Sequence, residues 1–130
     1  MSTSIRSFAE RLLLGNDIKD KLFSPDVFTD EDRLGISSAP SKPGRPTSVC
    51  WSSEGERVVF PKASQFLEEQ QRGHALLFFA NHELLAIELM ALCLLRFPST
   101  PPSFRRGLVN TIKEEQTHFK LYIQRARGLG

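Results

Sequence analysis

A glutamate and a histidine stand one helical turn apart near the end of the chain, at Glu115 and His118. They interrupt a series of apolar residues with the spacing of an amphipathic helix, formed by Leu108, Ile112, Phe119, Tyr122 and Leu129. An ionised carboxylate buried without a partner costs several kcal/mol. We therefore expect the pair to be compensated by a hydrogen bond, an opposite charge or a metal ion.

A second carboxylate, Glu83, is placed to meet this pair. The segment from Pro98 to Pro102 must end a helix, because proline cannot continue one. Glu83 precedes this break by about 15 residues and Glu115 follows it by about 14, so at ~1.5 Å rise per residue both lie about 21–23 Å from the turn of an antiparallel hairpin. The spacing predicts that Glu83, Glu115 and His118 meet at one level as metal ligands.

The chemistry of these three side chains favours a redox-active metal. Residues three apart on a helix point to the same side, so Glu115 can chelate or bridge while His118 binds through a ring nitrogen. One glutamate facing a Glu-x-x-His is half of the ligand set of ferritin-like four-helix bundles. Carboxylate-rich sites suit iron or manganese better than zinc. The alternatives are a buried polar network and a ligand set that no longer binds metal.

Other polar residues in the same two segments have simpler interpretations. Glu88 is turned about 140° from Glu83 around a helix, so it faces a second helix layer or solvent unless it is a further ligand. His82 either hydrogen-bonds a ligand or lies at the rim of the site. Asn81 is expected to make an ordinary polar contact, and His74 is expected to be a surface residue. Glu114 is expected to be a solvated charge, and Tyr122 a core aromatic.

The composition indicates one ordinary domain with no nucleic-acid partner. The chain has 130 residues, of which 40% are hydrophobic, enough for a single core. A net charge of +2 is too mild to indicate nucleic-acid binding, since basic residues alternate with acids. The basic residues near the end are expected to form a solvated face, at Lys113, Lys120, Arg125 and Arg127.

Cysteine usage and hydropathy favour the cytoplasm. Cys50 and Cys93 have neither metal-site nor disulfide-framework spacing, and no signal peptide opens the chain. Residues 75–95 are apolar enough to resemble a membrane span. They include side chains that are costly in lipid, so we expect a helix buried in protein and no membrane span: Asn81, His82, Glu83 and Glu88.

The patterns together predict an all-α fold in three segments. Residues 1–23 form an amphipathic helical segment, with helices over 4–14 and around 18–23. Residues 24–60 form an extended Pro/Gly/Ser-rich arm without helical periodicity. Residues 61–130 form an antiparallel helical hairpin, with a break near Gly73 and long helices over 74–97 and 102–127. Four residues are expected to hold the arm on the helices, Trp51, Val58, Val59 and Phe60.

Several segments resemble a family of bacterial ferritin-like proteins. They are Phe79 to Leu89, Phe97-Pro98, Glu114 to Phe119 and Arg125 to Gly130, together with Gly44-Arg45-Pro46 and Phe60-Pro61. The resemblance covers the chain from Ser4 onward. It implies a ferritin-like hairpin, half of a four-helix bundle, with Glu83, Glu115 and His118 as ligands of a di-iron centre. An oxygen-dependent oxidoreductase or hydroxylase is the implied activity, although a fold does not transfer a substrate.

The resemblance also implies a partner. Chains of that family continue beyond the position of Gly130 into a second helical pair with the other half of the ligands. This chain is accordingly expected to be a fragment, a half that dimerises or one subunit of a split pair, and to require self-association or a C-terminal half. The alternative function is a non-catalytic helical interaction module, whose buried polar cluster fixes helix register.

Overall fold

The computed structural model describes residues 3–30, 43–45 and 60–128. The fold is mostly helical, which confirms the all-α prediction. The elements in chain order are β1 (Thr3–Ser4), α1 (Ile5–Leu14), α2 (Ile18–Lys21), β2 (Phe28–Thr29), a 3-10 helix (Ala63–Leu67), α3 (Glu69–Arg96) and α4 (Pro102–Gly128). Most residues of the predicted arm, including Trp51, Val58 and Val59, lie outside the described residues.

The N-terminal helices begin at side-chain caps. The Ser4 hydroxyl accepts a hydrogen bond from the Ser7 amide at the start of α1, and Asp17 does the same for Lys19 at the start of α2. The buried face of α1 is apolar and packs on α3, through Ile5, Phe8, Ala9, Leu12 and Leu13. The predicted helical segment over 4–14 is therefore present within a residue of its expected bounds.

Strands β1 and β2 pair in parallel over two residues each, which brings the segment after α2 back beside the start of α1. The hydrophobic pattern does not indicate this pairing. Thr3 pairs with Phe28, and Ser4 pairs with Thr29. The pairing places the Phe28 ring 4.8 Å from the Phe8 ring in an edge-on arrangement. A strand pairing of two residues has little stability of its own, and this aromatic contact adds to it.

Helices α3 and α4 form the largest packing interface and run antiparallel. Near the turn, Arg105 donates to the Leu94 carbonyl, while the Phe79 and Tyr122 rings lie 5.7 Å apart towards the other end. Apolar residues of both helices pack with α1 into one core, including Ile87, Ala91, Leu94, Val109 and Ile112. A smaller core is formed by Ala80, Leu84 and Phe119.

Buried Arg105 fixes the turn between the long helices. Its guanidinium donates to the carbonyls of Leu94 and Phe97 at the end of α3, where the helix itself supplies no further donors. Its Nε lies 2.9 Å from the Asp30 carboxylate. One side chain therefore ties α4, the end of α3 and the segment after β2 together. This arrangement fixes how far from the turn each residue of α3 meets its counterpart on α4.

The predicted break near Gly73 is wrong. Helix α3 begins at Glu69 and continues through Gly73, and the change of direction falls at Glu68, after the 3-10 helix. A glycine inside a helix costs only about 1 kcal/mol relative to alanine, which packing of the same helix overrides. No neighbouring atom approaches the position of a Gly73 β-carbon, so the glycine is not required there by close packing.

Helix α3 is long and apolar enough to cross a membrane by length and composition. Core helices of proteins that never enter a membrane meet the same criteria. The property is weak evidence and does not by itself establish a span.

Candidate metal centre

The structure brings Glu83, Glu115 and His118 together between α3 and α4. One potential ligand atom of each side chain lies within 4.8 Å of those of the other two. We refer to these three side chains as the Glu–Glu–His cluster. The spacing on either side of the proline-rich turn accounts for their meeting, because equal distances from the turn place residues of antiparallel helices at one level. Their role as metal ligands stays a prediction.

The cluster lies at the edge of the helix interface. The Glu115 side chain retains 23% of its exposure and that of His118 retains 51%. The buried positions of α4 in this region are Ile112, Gln116 and Phe119. The predicted core-facing stripe was therefore one position out of phase at Glu115 and His118.

Gln116 explains the error in phase. The Nε2 of this buried amide donates to the carbonyls of Lys21 and Phe23, 3.1 and 2.8 Å away, while its Oε1 has no hydrogen-bond partner among the described residues. A residue type that is usually exposed thus occupies the centre of the buried face. Sequence periodicity cannot identify such a position without knowledge of the two distant carbonyls.

One oxygen of Glu115 is poorly satisfied. Its Oε2 is shielded from solvent and has no hydrogen-bond partner among the described residues. The His118 Nδ1 lies 3.5 Å from this oxygen, within ion-pair range but without the alignment of a hydrogen bond. A shielded carboxylate oxygen without a donor is costly, and a bound cation would compensate it.

Two aromatic side chains lie one helical turn beyond the cluster. Phe79 precedes Glu83 by one turn of α3, and Tyr122 follows His118 by one turn of α4, with their rings 5.7 Å apart. Tyr122 also packs against the small apolar core, as expected of a core aromatic. Phe79 is itself 42% exposed, so the two rings border this end of the cluster without burying it.

The other candidate residues lie apart from the cluster. The His82 Nδ1 is 3.1 Å from the Phe78 carbonyl, and its ring packs at 4.5 Å on the Phe78 ring. His74 and Glu114 are exposed, as expected for surface residues. None of the three belongs to the group of converging ligand atoms found among the described residues.

Glu88 belongs to a separate buried ion network. It is 2% exposed and accepts a hydrogen bond from the Lys21 Nζ at 2.9 Å. The Arg45 guanidinium donates to both of its oxygens and to the Asn81 Oδ1. Glu88 therefore has two cationic partners away from the cluster, which supports the prediction that it faces a second layer of the structure.

Lys21 is the centre of this network on the α1 side. Its Nζ also donates to the Leu12 and Leu13 carbonyls at the end of α1, 2.8 and 3.3 Å away. Burial lowers the pKa of Lys21 below its ordinary value, and the Glu88 carboxylate opposes that shift. The ammonium group thus satisfies carbonyls that a helix end leaves without partners.

The sequence does not indicate that Lys21 and Arg45 are the partners of Glu88. The signal that was available is the glutamate itself, since a carboxylate within an apolar helix requires a nearby cation. The sequence does not indicate which of its basic residues supplies it, because the arm that carries Arg45 has no periodic pattern.

Comparison with known proteins identifies a family and no individual relative. No curated protein and no solved structure matches the chain. A family model does match, over residues 7–130, which is nearly the whole chain. The chain therefore belongs to DUF455, a family whose description is "protein of unknown function".

Proposed function

We propose that the chain is a ferritin-like metal-binding protein in which Glu83, Glu115 and His118 hold iron. The observation that carries the proposal is the convergence of their ligand atoms within 4.8 Å of one another. Two carboxylates and one imidazole are a donor set suited to iron, and manganese is the second candidate. The unpartnered Glu115 Oε2 supports a cation at this place.

The proposed activity is that of an oxygen-dependent oxidoreductase. Bound iron would supply redox chemistry with dioxygen. Glu83 and Glu115 provide negative charge, and His118 provides a ring nitrogen at the exposed side of the cluster. Phe79 and Tyr122 place apolar ring surface beside one end of the cluster.

A further set of ligands is part of the proposal. Three protein donors leave coordination positions of an ion open, and a two-metal centre of the ferritin-like type draws on two helical pairs. A second copy of the chain or a C-terminal half would provide the second pair. Large apolar side chains of α3 are available for packing, with Leu85 42% and Leu89 59% exposed.

Metal analysis tests the proposal. The purified chain is loaded anaerobically with ferrous iron, freed of unbound metal, and analysed for metal content and absorption. We expect bound iron in the unmodified chain and its loss in Glu83→Gln, Glu115→Gln and His118→Ala. Glu114→Gln is the matched control, because Glu114 is an exposed carboxylate next to the cluster that should not contribute a ligand. Equal iron content in all five proteins would refute the assignment of the ligands.

A non-catalytic helical interaction module is the second candidate. The exposed Leu85 and Leu89 favour it, because contiguous apolar surface is a common feature of interaction sites. In that case the Glu–Glu–His cluster is a polar contact at the helix interface. The same loading experiment separates the two functions, since an interaction module takes up no iron while the four variants remain folded.

A further inference from the structure

One face of α4 carries an uninterrupted row of polar side chains at helical spacing. The positions follow each other by four and three residues alternately, which keeps them on one side of the helix. They are Arg106, Asn110, Lys113, Thr117, Lys120, Gln124 and Arg127. Four are basic, three are neutral hydrogen-bonding types, and none is acidic or apolar. We refer to these seven residues as the basic stripe.

Helix α4 concentrates the positive charge of the protein. It contains six basic residues and two acidic ones, a net charge of +4. The full chain has a net charge of +2 over 130 residues, so the residues outside α4 sum to −2. Acidic and basic residues alternate along the sequence, which hides the separation of charge on the helix. The two acids of α4, Glu114 and Glu115, project from other sides of the helix than the basic stripe.

Three cations of the basic stripe are available to a ligand. Arg106, Lys120 and Arg127 are exposed and make no ion pair with any residue that the structure describes. Lys113 is partly buried, and its Nζ donates to the Pro25 carbonyl at 2.7 Å and lies 5.0 Å from the centre of the Phe28 ring. Lys113 therefore fixes the segment between α2 and β2, and its contribution to binding a ligand at the stripe is mainly its positive charge.

The basic stripe and the Glu–Glu–His cluster lie on different sides of α4. Lys113 is two residues before Glu115, and Lys120 is two residues after His118, which turns each about 200° around the helix from its neighbour. A partner packed over the cluster would leave the basic stripe accessible. A second ligand can therefore bind independently of the proposed metal chemistry.

The mild net charge of the whole chain predicts no nucleic-acid partner, but the concentration of positive charge on one face of α4 reverses that expectation. We propose that the basic stripe binds the phosphate backbone of a nucleic-acid duplex. Successive cations seven residues apart are spaced by about 10.5 Å, and the row spans about 31 Å, close to one turn of a duplex. Asn110 and Gln124 are side-chain types that donate hydrogen bonds to phosphate oxygens, while the Thr117 hydroxyl donates to the Lys113 carbonyl within α4. An anionic membrane surface fits less well, because helices that lie on membranes place a whole apolar face beside their cations. Beside the stripe, the structure describes one exposed large hydrophobic side chain, Leu121.

Binding to labelled 20-base-pair duplexes of DNA and of RNA tests this proposal. Fluorescence anisotropy of the full chain is measured against sodium chloride concentration. The test variant is Arg106→Gln/Lys120→Gln/Arg127→Gln. The matched control is Lys19→Gln/Lys62→Gln/Arg96→Gln, which removes the same charge from exposed positions outside α4.

We expect binding at low salt by the unmodified chain and by the control. The test variant should bind about tenfold more weakly or worse, and the slope of log K against log salt should become shallower by about 2–3, since each phosphate contact contributes about 0.9. Circular dichroism establishes that both variants are folded. Iron content should be the same in all three proteins, so failure here does not bear on the metal centre.

Three results would overturn the proposal. The first is absence of duplex binding by the unmodified chain at low salt, and the second is an equal loss of affinity in the test variant and the control. The third is binding to vesicles containing anionic lipid without binding to either duplex, which would assign the stripe to a membrane surface.

Discussion

Glu83 and Glu88 stand five residues apart on α3 and have different partners on different sides of the helix. Glu83 lies with Glu115 and His118, at the edge of the interface with α4. Glu88 lies between Lys21 and Arg45, where 2% of it is exposed. The turn of about 140° between positions five apart accounts for this separation. One helix therefore carries a candidate ligand and a stabilising carboxylate that can be altered separately.

Replacing Glu88 with Gln should destabilise the fold strongly. The change leaves the buried Lys21 ammonium and the Arg45 guanidinium without their anion, and loss of one partner from a buried ion pair costs about 3–5 kcal/mol. Urea unfolding measures this cost. Glu83→Gln is the comparison, for which we expect a change below about 1 kcal/mol, as for most substitutions outside a buried network. Similar losses in the two variants would contradict the separation of roles.

Gly44 should not tolerate a side chain. A β-carbon there would lie 2.2 Å from the Leu14 carbonyl oxygen and 2.7 Å from the Asn16 Oδ1, and the Gly44 amide donates to the Leu13 carbonyl at 2.9 Å. Gly44→Ala should therefore cost about 1–3 kcal/mol, since a backbone atom must move.

The control for Gly44 is Gly107→Ala, in α4. No atom lies within 4 Å of the position of its β-carbon. Alanine in a helix interior is favoured over glycine by about 1 kcal/mol, so this variant should be stabilised. The free energies of unfolding of the two alanine variants should change with opposite signs, and destabilisation of both would indicate that the described contact of Gly44 is not the cause.

Acid unfolding should depend on Asp20. The hydrogen bond from the Arg11 guanidinium lowers the pKa of this carboxyl below its ordinary value of 3.8. A lowered pKa in the folded state stabilises the protein above pH 3.8, and the contribution is lost as the pH falls through the folded-state pKa. The difference in unfolding free energy between the unmodified chain and Asp20→Asn should thus shrink on acidification below pH 3.8. A constant difference would exclude this linkage.

The distance of the candidate site from the turn of the hairpin could be predicted from the sequence. The contacts made by the arm over residues 24–60 could not. The proline-rich turn marks the end of the hairpin, and residue counts from it fix which positions of α3 and α4 meet. The contact between Arg45 and Glu88 joins residues 43 apart, one of them in a segment without periodicity. Nothing local in the sequence specifies that pairing.

Side-chain type also misleads where a buried polar group donates to distant carbonyls. Gln116 and Lys21 are both buried, and each donates to main-chain carbonyls of another element. Their types predict exposure, so the pattern places Glu115 and His118, instead of Gln116, on the buried face of α4 and does not identify Lys21 as a buried residue of α2. The error has a physical cause, because these groups are buried through tertiary hydrogen bonds that the sequence does not reveal.

The cluster should lower the stability of the metal-free protein. Two carboxylates lie within 4.8 Å of each other, and the shielded Glu115 Oε2 has no hydrogen-bond partner among the described residues. Glu115→Gln removes one of the two charges while nearly preserving size. We expect the metal-free variant to be more stable by about 0.5–1 kcal/mol, because removal of one of two neighbouring like charges relieves their repulsion.

The same substitution should abolish iron uptake, which links the two effects. Residues that serve function often reduce stability, so a gain in stability with a loss of iron identifies Glu115 as a ligand. Urea unfolding in the presence of a chelator gives the first quantity, and metal analysis after anaerobic loading gives the second. Glu114→Gln, which alters an exposed neighbour, should change neither by a measurable amount. A less stable metal-free Glu115→Gln protein that still binds iron would contradict both the repulsion between the carboxylates and the ligand role of Glu115.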